Sequence, residues 1–501
     1  MTRNQIWITV GAVAAALAVG IAVTVAVTSG GDTNEISTAG TRPTEPPVTT
    51  TVKPATTTVP PTVAPATKPP ATLPPTLPPT VIVVPPTNAP TSPPTVAPTN
   101  PVTVPTSPPT TKPTVPPPTT KPTVPPTTSP PAVDPGITAT EIHLAVIADT
   151  QDSVQGMQAW ASSVNKKGVG GRKIVIDPFV VNGDPGQFAA AVDTACTKDF
   201  AIVGSFSAGD SSLGNLAGCG IPDLPARAVS SVHAGAPNTY AVVPTKSTQQ
   251  QVGGFKWLQS AVSGCCKQYV ISSTNAQAAA ATQASVQAAN TVGFTSAGGT
   301  TLANDAPQSA YTPVVEEMKA KGATFGRSDL PLTSTIALRT EALAQSVTGV
   351  KAWFCLAQCY QPTFLSQGGT NVEGQFVQIG TNPFEDAASI PAMKKYLSAG
   401  GPRNEAGLES ASAGLLFQTA ANQVIADVGK AGLTRAALVE AVAGIDDFTA
   451  GGILGVTNVG GRVPTGCFVM MKVGSGKFAR AEPAGAGQLS CGAQNLLTVG
   501  P

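Results

Sequence analysis

Three short apolar segments decide the fold: IHLAVIA at Ile142–Ala148, KIVIDPF at Lys173–Phe179 and AIVGSF at Ala201–Phe206. Each has the length of a β-strand, and helical patterns around 155–165 and 186–198 connect one to the next. Strands that are apolar on both faces and alternate with helices are typical of a parallel, doubly wound sheet. The sequence therefore predicts an α/β fold.

The alternation starts again after residue 250, which predicts a second lobe. A helix is expected at Ala276–Thr291, while the segment 323–348 shows the weakest pattern. Further strands are predicted at Ala226–Ser230, Tyr240–Pro244, Gln268–Ser272, Thr300–Leu302, Ala352–Leu356 and Gln375–Ile379.

Helices are predicted again near the carboxyl terminus, at 406–429 and from Thr434 onward, where Thr434 has the position of an N-cap. Helices after the second α/β run indicate that the chain returns to the first lobe. The prediction is a two-lobed domain at 134–501 with a hinge. Lobe 1 is expected at about 137–252 and 386–452, and lobe 2 at about 253–385 and 453–496.

Residues 1–32 contain an apolar run, Ile6–Val27, of 22 residues without a charge. At ~1.5 Å per residue it covers the roughly 30 Å hydrocarbon core of a bilayer. It is longer than the apolar part of a cleaved signal peptide, about 7–15 residues, so a retained transmembrane anchor is favoured and a cleaved signal is the alternative. Arg3 precedes the run, which predicts a single-pass protein of the cell membrane with an extracytoplasmic carboxyl-terminal domain, or a secreted one if the signal is cleaved.

Residues 33–133 are rich in Pro and Thr and include the direct repeat TTKPTVPP at 110–117 and 119–126. Of the 49 prolines in the chain, 32 lie before Asp134. Proline removes backbone donors and restricts its neighbours to extended conformations, which predicts a disordered, polyproline-like stalk. A spacer that sets how far the carboxyl-terminal domain extends from its anchor is favoured over a flexible tail of unselected length.

The composition of the 501 residues excludes several classes of function. The formal net charge is +1 and 11% of residues are charged, which argues against nucleic acid as a partner. Only two histidines occur in the chain, so a His-rich metal site or a His-dependent active site is not expected. We therefore expect a binding protein, not an enzyme, with no cofactor and no metal.

Several motifs carry a resemblance to a known family: GITATEI at 136–142, NKKGVGGRKI at 165–174, SAYTP at 309–313 and the stretch 448–473 with Gly460-Gly461-Arg462. Their order and spacing resemble the type I periplasmic solute-binding proteins, specifically the branched-chain amino acid (leucine/isoleucine/valine) receptor family of ABC transporters. The resemblance implies two lobes joined by three crossover strands that close over a small ligand.

In lobe 1 the resemblance implies that the loops following two of the strands bind the ligand carboxylate. Ser207 and the amide of Ala208 are the first candidates, with an ordinary N-cap serine as the alternative. Ser230 and Ser231 are the next candidates, with a solvated turn as the alternative. His233 is expected to be a surface loop residue. The sequence around Ser207 is also one residue from the Gly-x-Ser-x-Gly elbow of hydrolases, but the first glycine is missing.

In lobe 2 the candidates follow the predicted strands. Ser273 follows the first strand, and Tyr360 could be a lid over the ligand, with ordinary packing as its alternative. Glu385 or Asp386 could hold a ligand ammonium, as an acid near this place does in the resembled family. The alternative for either acid is a favourable position at a helix amino terminus.

Eight cysteines in an exported chain predict disulfides. Cys196 and Cys219 match a bridge of the resembled family, and Cys467 with Cys491 would tie down the carboxyl-terminal strands. Cys355 and Cys359 could bridge across one turn, and no pairing is assigned to Cys265 and Cys266.

The predicted function is an extracytoplasmic, membrane-tethered solute receptor for ABC-type uptake or sensing. Its ligand would be amino acid-like, and its partner an ABC permease or a sensor in the membrane. The alternative is a structural module of the cell envelope whose binding-protein fold has lost its ligand.

Overall fold

The computed structural model describes residues 134–499. The predicted transmembrane segment Ile6–Val27 and the predicted stalk at 33–133 lie outside the described residues. Among the helices between 134 and 499, none combines the length and the apolar character that crossing a bilayer requires.

The described strands and helices alternate along most of the chain. The strands are β1 (Glu141–Ala148), β2 (Lys173–Val180), β3 (Ala201–Val203), β4 (Asp223–Leu224), β5 (Gln249–Gln251), β6 (Lys267–Ser273), β7 (Thr295–Leu302), β8 (Phe325–Ser328), β9 (Ala352–Cys355), β10 (Gln375–Ile379), β11 (Val469–Gly474), β12 (Lys477–Glu482) and β13 (Leu496–Thr498). The helices are α1 (Gln151–Val164), α2 (Pro185–Lys198), α3 (Leu216–Cys219), α4 (Ser231–Ala234), α5 (Gly253–Ala261), α6 (Ala276–Thr291), α7 (Tyr311–Ala320), α8 (Leu332–Ala344), α9 (Pro362–Gly368), α10 (Pro391–Ser398), α11 (Glu405–Val428) and α12 (Arg435–Ala443).

Lobe 1 contains a four-stranded parallel sheet in the order β2-β1-β3-β4. Strand β1 pairs with β2 on one side and with β3 on the other, where Leu144 lies opposite Ala201. The chain therefore reverses its winding direction between β1 and β3. In open parallel sheets this point lies beside the crevice in which ligands bind, beyond the carboxyl ends of the strands.

Lobe 2 contains a separate seven-stranded sheet in the order β12-β11-β10-β9-β8-β6-β7. Strands β6 to β10 are parallel, and β11 and β12 form an antiparallel extension. The doubly wound parallel fold predicted from the sequence is confirmed.

Strand β8 and helix α8 lie in 323–348, where the sequence pattern is weakest. All four residues of β8 are buried, and one of them is Arg327, which is 1% exposed. Its Nη2 donates to Oδ2 of Asp329 at 2.6 Å, and its guanidinium lies over the Phe255 ring. A charged residue inside a short strand breaks the apolar run on which sequence prediction depends.

The predicted strands Ala226–Ser230 and Tyr240–Pro244 are wrong. Strand β4 ends at Leu224, because Pro225 follows and cannot donate to a ladder. The two segments still run side by side, since Val242 N donates to Pro225 O at 2.9 Å. These segments are loops that are joined by a few backbone hydrogen bonds, and they do not form a pair of strands.

The chain crosses between the lobes three times. The first crossover includes β5, which pairs antiparallel with β13 near the carboxyl terminus. The second and third crossovers contact each other, because Thr381 forms a bridge with Leu454 and Asn382 N donates to Ile453 O at 2.7 Å. Arg480 is hydrogen bonded to Asn382 as well, which ties β12 to this crossing.

Four disulfides are formed within the described residues. Cys196–Cys219 and Cys467–Cys491 confirm the two predicted pairs, and Cys355–Cys359 forms the bridge across one turn. Cys265 pairs with its neighbour Cys266.

Helices α1 and α11 of lobe 1 pack at very close range. A Cβ atom added at Gly156 in α1 would lie 2.0 Å from the carbonyl oxygen of Gly407 in α11. About two turns further along α11, a Cβ at Gly414 would lie 2.3 Å from the Trp160 ring. Glycine at these positions lets the long helix α11 lie directly on α1 and brings its amino-terminal turns to the edge of the sheet.

We predict that Gly156→Ala lowers the free energy of unfolding. Alanine favours a helix interior by about 1 kcal/mol over glycine, but the clash with α11 should outweigh this gain and leave a net loss of about 1–3 kcal/mol. Gly380→Ala is the matched control, because a Cβ at Gly380 would meet no atom within 4 Å. Urea unfolding followed by tryptophan fluorescence measures both variants, and equal stability of the two would contradict the packing argument.

Candidate functional site

The loops that follow β1, β3 and β4 lie together at the carboxyl edge of the lobe 1 sheet. Asp149 directly follows β1, Ser207 and Ala208 follow β3, and Ser230 follows β4. The backbone holds the first two loops together, since Asp149 N donates to Phe206 O at 3.1 Å. The fold thus brings together the loops that carry Ser207, Ala208 and Ser230, which are three of the four lobe 1 candidates.

The carboxylate of Asp149 is the centre of this arrangement. Its Oδ1 accepts hydrogen bonds from the Ser207 hydroxyl at 2.6 Å and from the Gly183 amide at 2.7 Å, and its Oδ2 accepts one from the Ala208 amide at 2.8 Å. We call these three donors the carboxylate cradle. Charge-assisted hydrogen bonds of this length are the strong kind.

The cradle has the chemistry predicted for Ser207 and Ala208, but the carboxylate that it holds belongs to the chain itself. Ser207 is 2% exposed, and its Oγ also accepts from the Gly209 amide at 3.0 Å. No helix begins in the described loop between Ser207 and Leu216, so Ser207 is not a helix N-cap. Sequence reasoning missed that Asp149, which directly follows β1, fills these donors.

Ser230 is buried and is the N-cap of α4, with its Oγ accepting from His233 N at 3.1 Å. Its own amide donates to Oδ1 of Asp210 at 2.8 Å, and its hydroxyl donates to the Asp210 carbonyl oxygen at 3.0 Å. Ser231 is exposed at the first position of the helix. Asp210, which sequence reasoning missed, therefore fixes the loop that carries Ser230.

The prediction that His233 is a surface residue is wrong. Its side chain is 2% exposed, with Nδ1 2.9 Å from Oδ2 of Asp210 and Nε2 2.6 Å from Oδ2 of Asp223. Burial by itself would lower the pKa of the imidazole. The charge of Asp223 and the hydrogen bonds to both carboxylates outweigh burial and raise the pKa of His233 to about 10. A protonated histidine therefore joins the two buried acids.

A second buried ionic group joins the β4 loop to α11. Nη2 of Arg227 lies 2.6 Å from Oε1 of Glu409 and 3.2 Å from Oε1 of Glu405. Glu409 is fully buried, and its burial raises its pKa although the charge of Arg227 opposes that shift. Because Arg227 also lies over the Phe206 ring, the group stiffens the edge next to the cradle.

The lobe 2 candidates are engaged with their own lobe. Ser273, which is 2% exposed, ends β6, and its Oγ donates to Oδ1 of Asn304 at 3.2 Å and accepts from the Asn275 amide at 3.0 Å. This serine supports the amino terminus of α6, where Asn275 is the N-cap.

Tyr360 and Glu385 form a hydrogen-bonded pair. The Tyr360 hydroxyl donates to Oε2 of Glu385 and accepts from the Phe384 amide at 2.8 Å. The ring is 3% exposed and stacks on Phe384, and burial followed by the charge of Glu385 raises the pKa of Tyr360. The neighbouring acid Asp386 is paired with Arg480, so Glu385 is the acid that remains exposed at this end of lobe 2.

The structure thus assembles the candidates in two groups. Ser207 and Ala208 share Asp149 in lobe 1, while Tyr360 contacts Glu385 in lobe 2. Within residues 134–499, no side-chain hydrogen bond joins a lobe 1 candidate to a lobe 2 candidate.

We predict that His233 keeps its proton at neutral pH. Because its pKa is raised above the ordinary value of 6.5, its contribution to stability is fully present below pH 6.5 and is lost as the pH rises toward 10. Nuclear magnetic resonance of the two histidine rings measures both titrations, and the His143→Gln variant assigns the signals. Titration of His233 below pH 7 would refute the buried imidazolium.

Comparison with known proteins shows which family the chain belongs to. No curated protein matches the chain. Among solved structures, a fatty acid ABC transporter substrate-binding protein from Thermomonospora curvata is similar with a TM-score of 0.59 and 18% identity, over 72% of this chain and 95% of that one.

Two further structures have the same fold. A leucine-binding protein from Thermotoga maritima has a TM-score of 0.55 at 15% identity and covers 68% of this chain and 97% of its own. An ABC transporter solute-binding protein from R. palustris, in complex with 4-hydroxybenzoate, has a TM-score of 0.54 at 17% identity. The match covers 68% of this chain and 96% of that one. The sequence model of the periplasmic binding proteins matches residues 146–477. The chain belongs to the periplasmic binding protein family, in its type I, branched-chain amino acid receptor-like branch.

Proposed function

We propose that this protein is an extracytoplasmic solute receptor that closes its two lobes over a small polar ligand with a carboxylate, such as an amino acid. The observation that carries the proposal is the cradle of Ser207, Ala208 and Gly183, which directs three donors at one carboxylate at the carboxyl edge of the lobe 1 sheet. A carboxylate site at the switch point of a doubly wound sheet is where a ligand is expected.

The ligand carboxylate would replace that of Asp149. The two carboxylates cannot share the three donors, because like charges at this distance repel each other. Asp149 lies at the start of a loop and is partly exposed, so its side chain has room to turn toward solvent. Asp149 therefore acts as an internal competitor that keeps the cradle ordered in the absence of solute.

Lobe 2 would supply the groups for the other end of the ligand. Glu385 is exposed and carries a negative charge suited to an ammonium, and Tyr360 holds it in place through its hydroxyl. Ser273 of lobe 2 lies at a strand end, and Ser230 and Ser231 of lobe 1 lie at a helix start; all three would add hydroxyl contacts. Pairing a carboxylate site in one lobe with an acid in the other would make closure selective for a zwitterion.

The proposal includes a tether and a partner. The apolar run Ile6–Val27 would anchor the chain in the cell membrane with the two-lobed domain outside, and residues 33–133 would set its distance from the bilayer. The closed form would then be recognised by an ABC permease or by a sensor protein in the same membrane. The protein would act by binding alone and would not be an enzyme.

Two variants should change ligand affinity in opposite directions. In the Asp149→Ala background, where no carboxylate of the chain occupies the cradle, adding Ser207→Ala removes a charge-assisted hydrogen bond worth about 1.5–3 kcal/mol from the ligand, so the dissociation constant should rise roughly 10- to 100-fold relative to Asp149→Ala. Asp149→Ala removes the competitor, so the dissociation constant should fall. Isothermal titration of the full chain in detergent, against a panel of amino acids and related acids and amides, measures both effects.

Ser398→Ala is the matched control, because Ser398 is exposed on α10 and bonds only to its own helix. Its affinity should equal that of the unaltered chain, and thermal melting verifies that each variant is folded. Absence of binding across the whole panel, together with an X-ray scattering profile that no solute changes, would remove the receptor proposal.

A further inference from the structure

A second polar cluster lies in lobe 1, toward the amino ends of the strands and away from the cradle. His143 is the third residue of β1, Asp177 lies in β2, and Asp199 directly follows α2, two residues before β3. In the parallel register Ala145 lies opposite Asp177, so His143 and Asp177 project from the same face of the sheet. We call these three residues the His143 cluster.

The cluster lines a cavity of about 600 Å³ that is open to solvent. The side chains of His143 and Asp177 are 33% and 39% exposed, whereas Asp199 is fully buried. Lys198 and Phe179 form part of the cavity wall. A small ion from solution therefore has a route to His143 and Asp177, and Asp199 lies behind them at the cavity wall.

Asp199 is the unusual member of the cluster. Both of its carboxylate oxygens are buried, and neither accepts a hydrogen bond from any residue between 134 and 499. Arg435 lies close, but its guanidinium donates to backbone carbonyl oxygens, those of Asp199 and Phe200 among them, and not to the carboxylate. Burying a carboxylate without partners is costly. Burial, followed by the neighbouring Asp177, raises the pKa of Asp199 to about 8, so either a shared proton or a bound cation can satisfy these oxygens.

The donor atoms are close enough to share one ion. One ligand atom from each of the three residues lies within 4.8 Å of the other two, and Nδ1 of His143 lies 2.8 Å from Oδ2 of Asp177. Around a tetrahedral ion with bonds of about 2.0–2.2 Å, neighbouring ligands are roughly 3.4 Å apart. To reach that geometry, the three ligand atoms would move by about 1 Å through small rotations of their side chains.

The donor set selects the kind of ion. An imidazole nitrogen with two carboxylates suits Zn²⁺ and related transition metals, whereas Ca²⁺ and Mg²⁺ prefer oxygen ligands throughout. Oε2 of Glu141 lies 3.8 Å from Nε2 of His143, which is too far for a hydrogen bond but adds negative charge beside the cluster. The cluster also lies at the carboxyl-terminal end of α2, where the helix dipole favours a positive charge.

We propose that His143, Asp177 and Asp199 bind a divalent transition-metal ion, with Zn²⁺ as the reference ligand. Three protein ligands leave a fourth position for water, and nothing in the cluster is shared with the carboxylate cradle. The ion would join β1, β2 and the start of β3 and so stabilise lobe 1.

The test is isothermal titration of the full chain with ZnCl₂, produced without a histidine tag, treated with a chelator and kept in detergent. One Zn²⁺ per chain is expected, and the dissociation constant should rise at least about tenfold in Asp199→Asn and in His143→Gln. Asp305→Asn, which changes an exposed acid of lobe 2, is the matched control and should bind as the unaltered chain does.

Two further readouts separate a metal site from a merely structural cluster. Zn²⁺ should shift the ring resonances of His143 and leave those of His233 unchanged, and it should raise the melting temperature of the unaltered chain but not that of His143→Gln. His143 is partly exposed, so this variant is suited to the test even if Asp199→Asn does not fold.

Equal Zn²⁺ affinity in the unaltered chain and in His143→Gln would overturn the proposal, as would tighter binding of CaCl₂ than of ZnCl₂. If Zn²⁺ has no effect while Asp199→Asn melts at a higher temperature, the cluster holds a shared proton and no metal. Because the readouts use Zn²⁺ alone, they are independent of whether any solute binds at the cradle.

Discussion

The direction of the parallel strands is the constraint on which the rest of lobe 1 depends. Because β1, β3 and β4 run the same way, every loop that leaves the sheet does so at one edge, and every loop that enters does so at the other. The leaving loops bring Asp149 to Ser207, although 58 residues separate them. The entering edge brings Asp199 to His143. One sheet therefore carries the proposed solute site at its carboxyl edge and the proposed metal site toward its amino edge.

At the carboxyl edge, an acid of the chain satisfies donors that could bind a solute. A cradle of polar groups would otherwise depend on water for its hydrogen bonds, and its donors would be less well ordered. In the proposed function an incoming carboxylate would have to compete with Asp149, which would lower affinity but leave the geometry of the donors prepared. The buried ionic groups around it, His233 between two aspartates and Arg227 on Glu409, hold the surrounding loops in position. With rigid loops at this edge, the proposed binding would depend on the movement of the lobes.

Most of the fold could be predicted from the sequence, because the strands are short apolar runs and several helices begin at a side-chain cap. Thr434 is the N-cap of α12 as predicted, with its Oγ1 accepting from the Ala437 amide at 3.2 Å. Strand β8 could not be predicted, because its buried Arg327 is acceptable only beside Asp329 and two aromatic rings. A local pattern reports the average polarity of a segment, and it contains no information about a charge that finds its partner elsewhere in the fold.

For the site, the sequence by itself determined the residue types at the strand ends: hydroxyls after β3 and β4, and acids after β1 and β10. It also determined the α/β alternation that brings such ends together. Only the tertiary structure decided which groups meet. Ser207 and Ala208 hold Asp149, His233 lies buried between acids, and Asp199 lies beside His143. The reason is physical: hydrogen bonds and ion pairs between residues far apart in the chain depend on the register and winding of the sheet, and a sequence read segment by segment does not contain those distances.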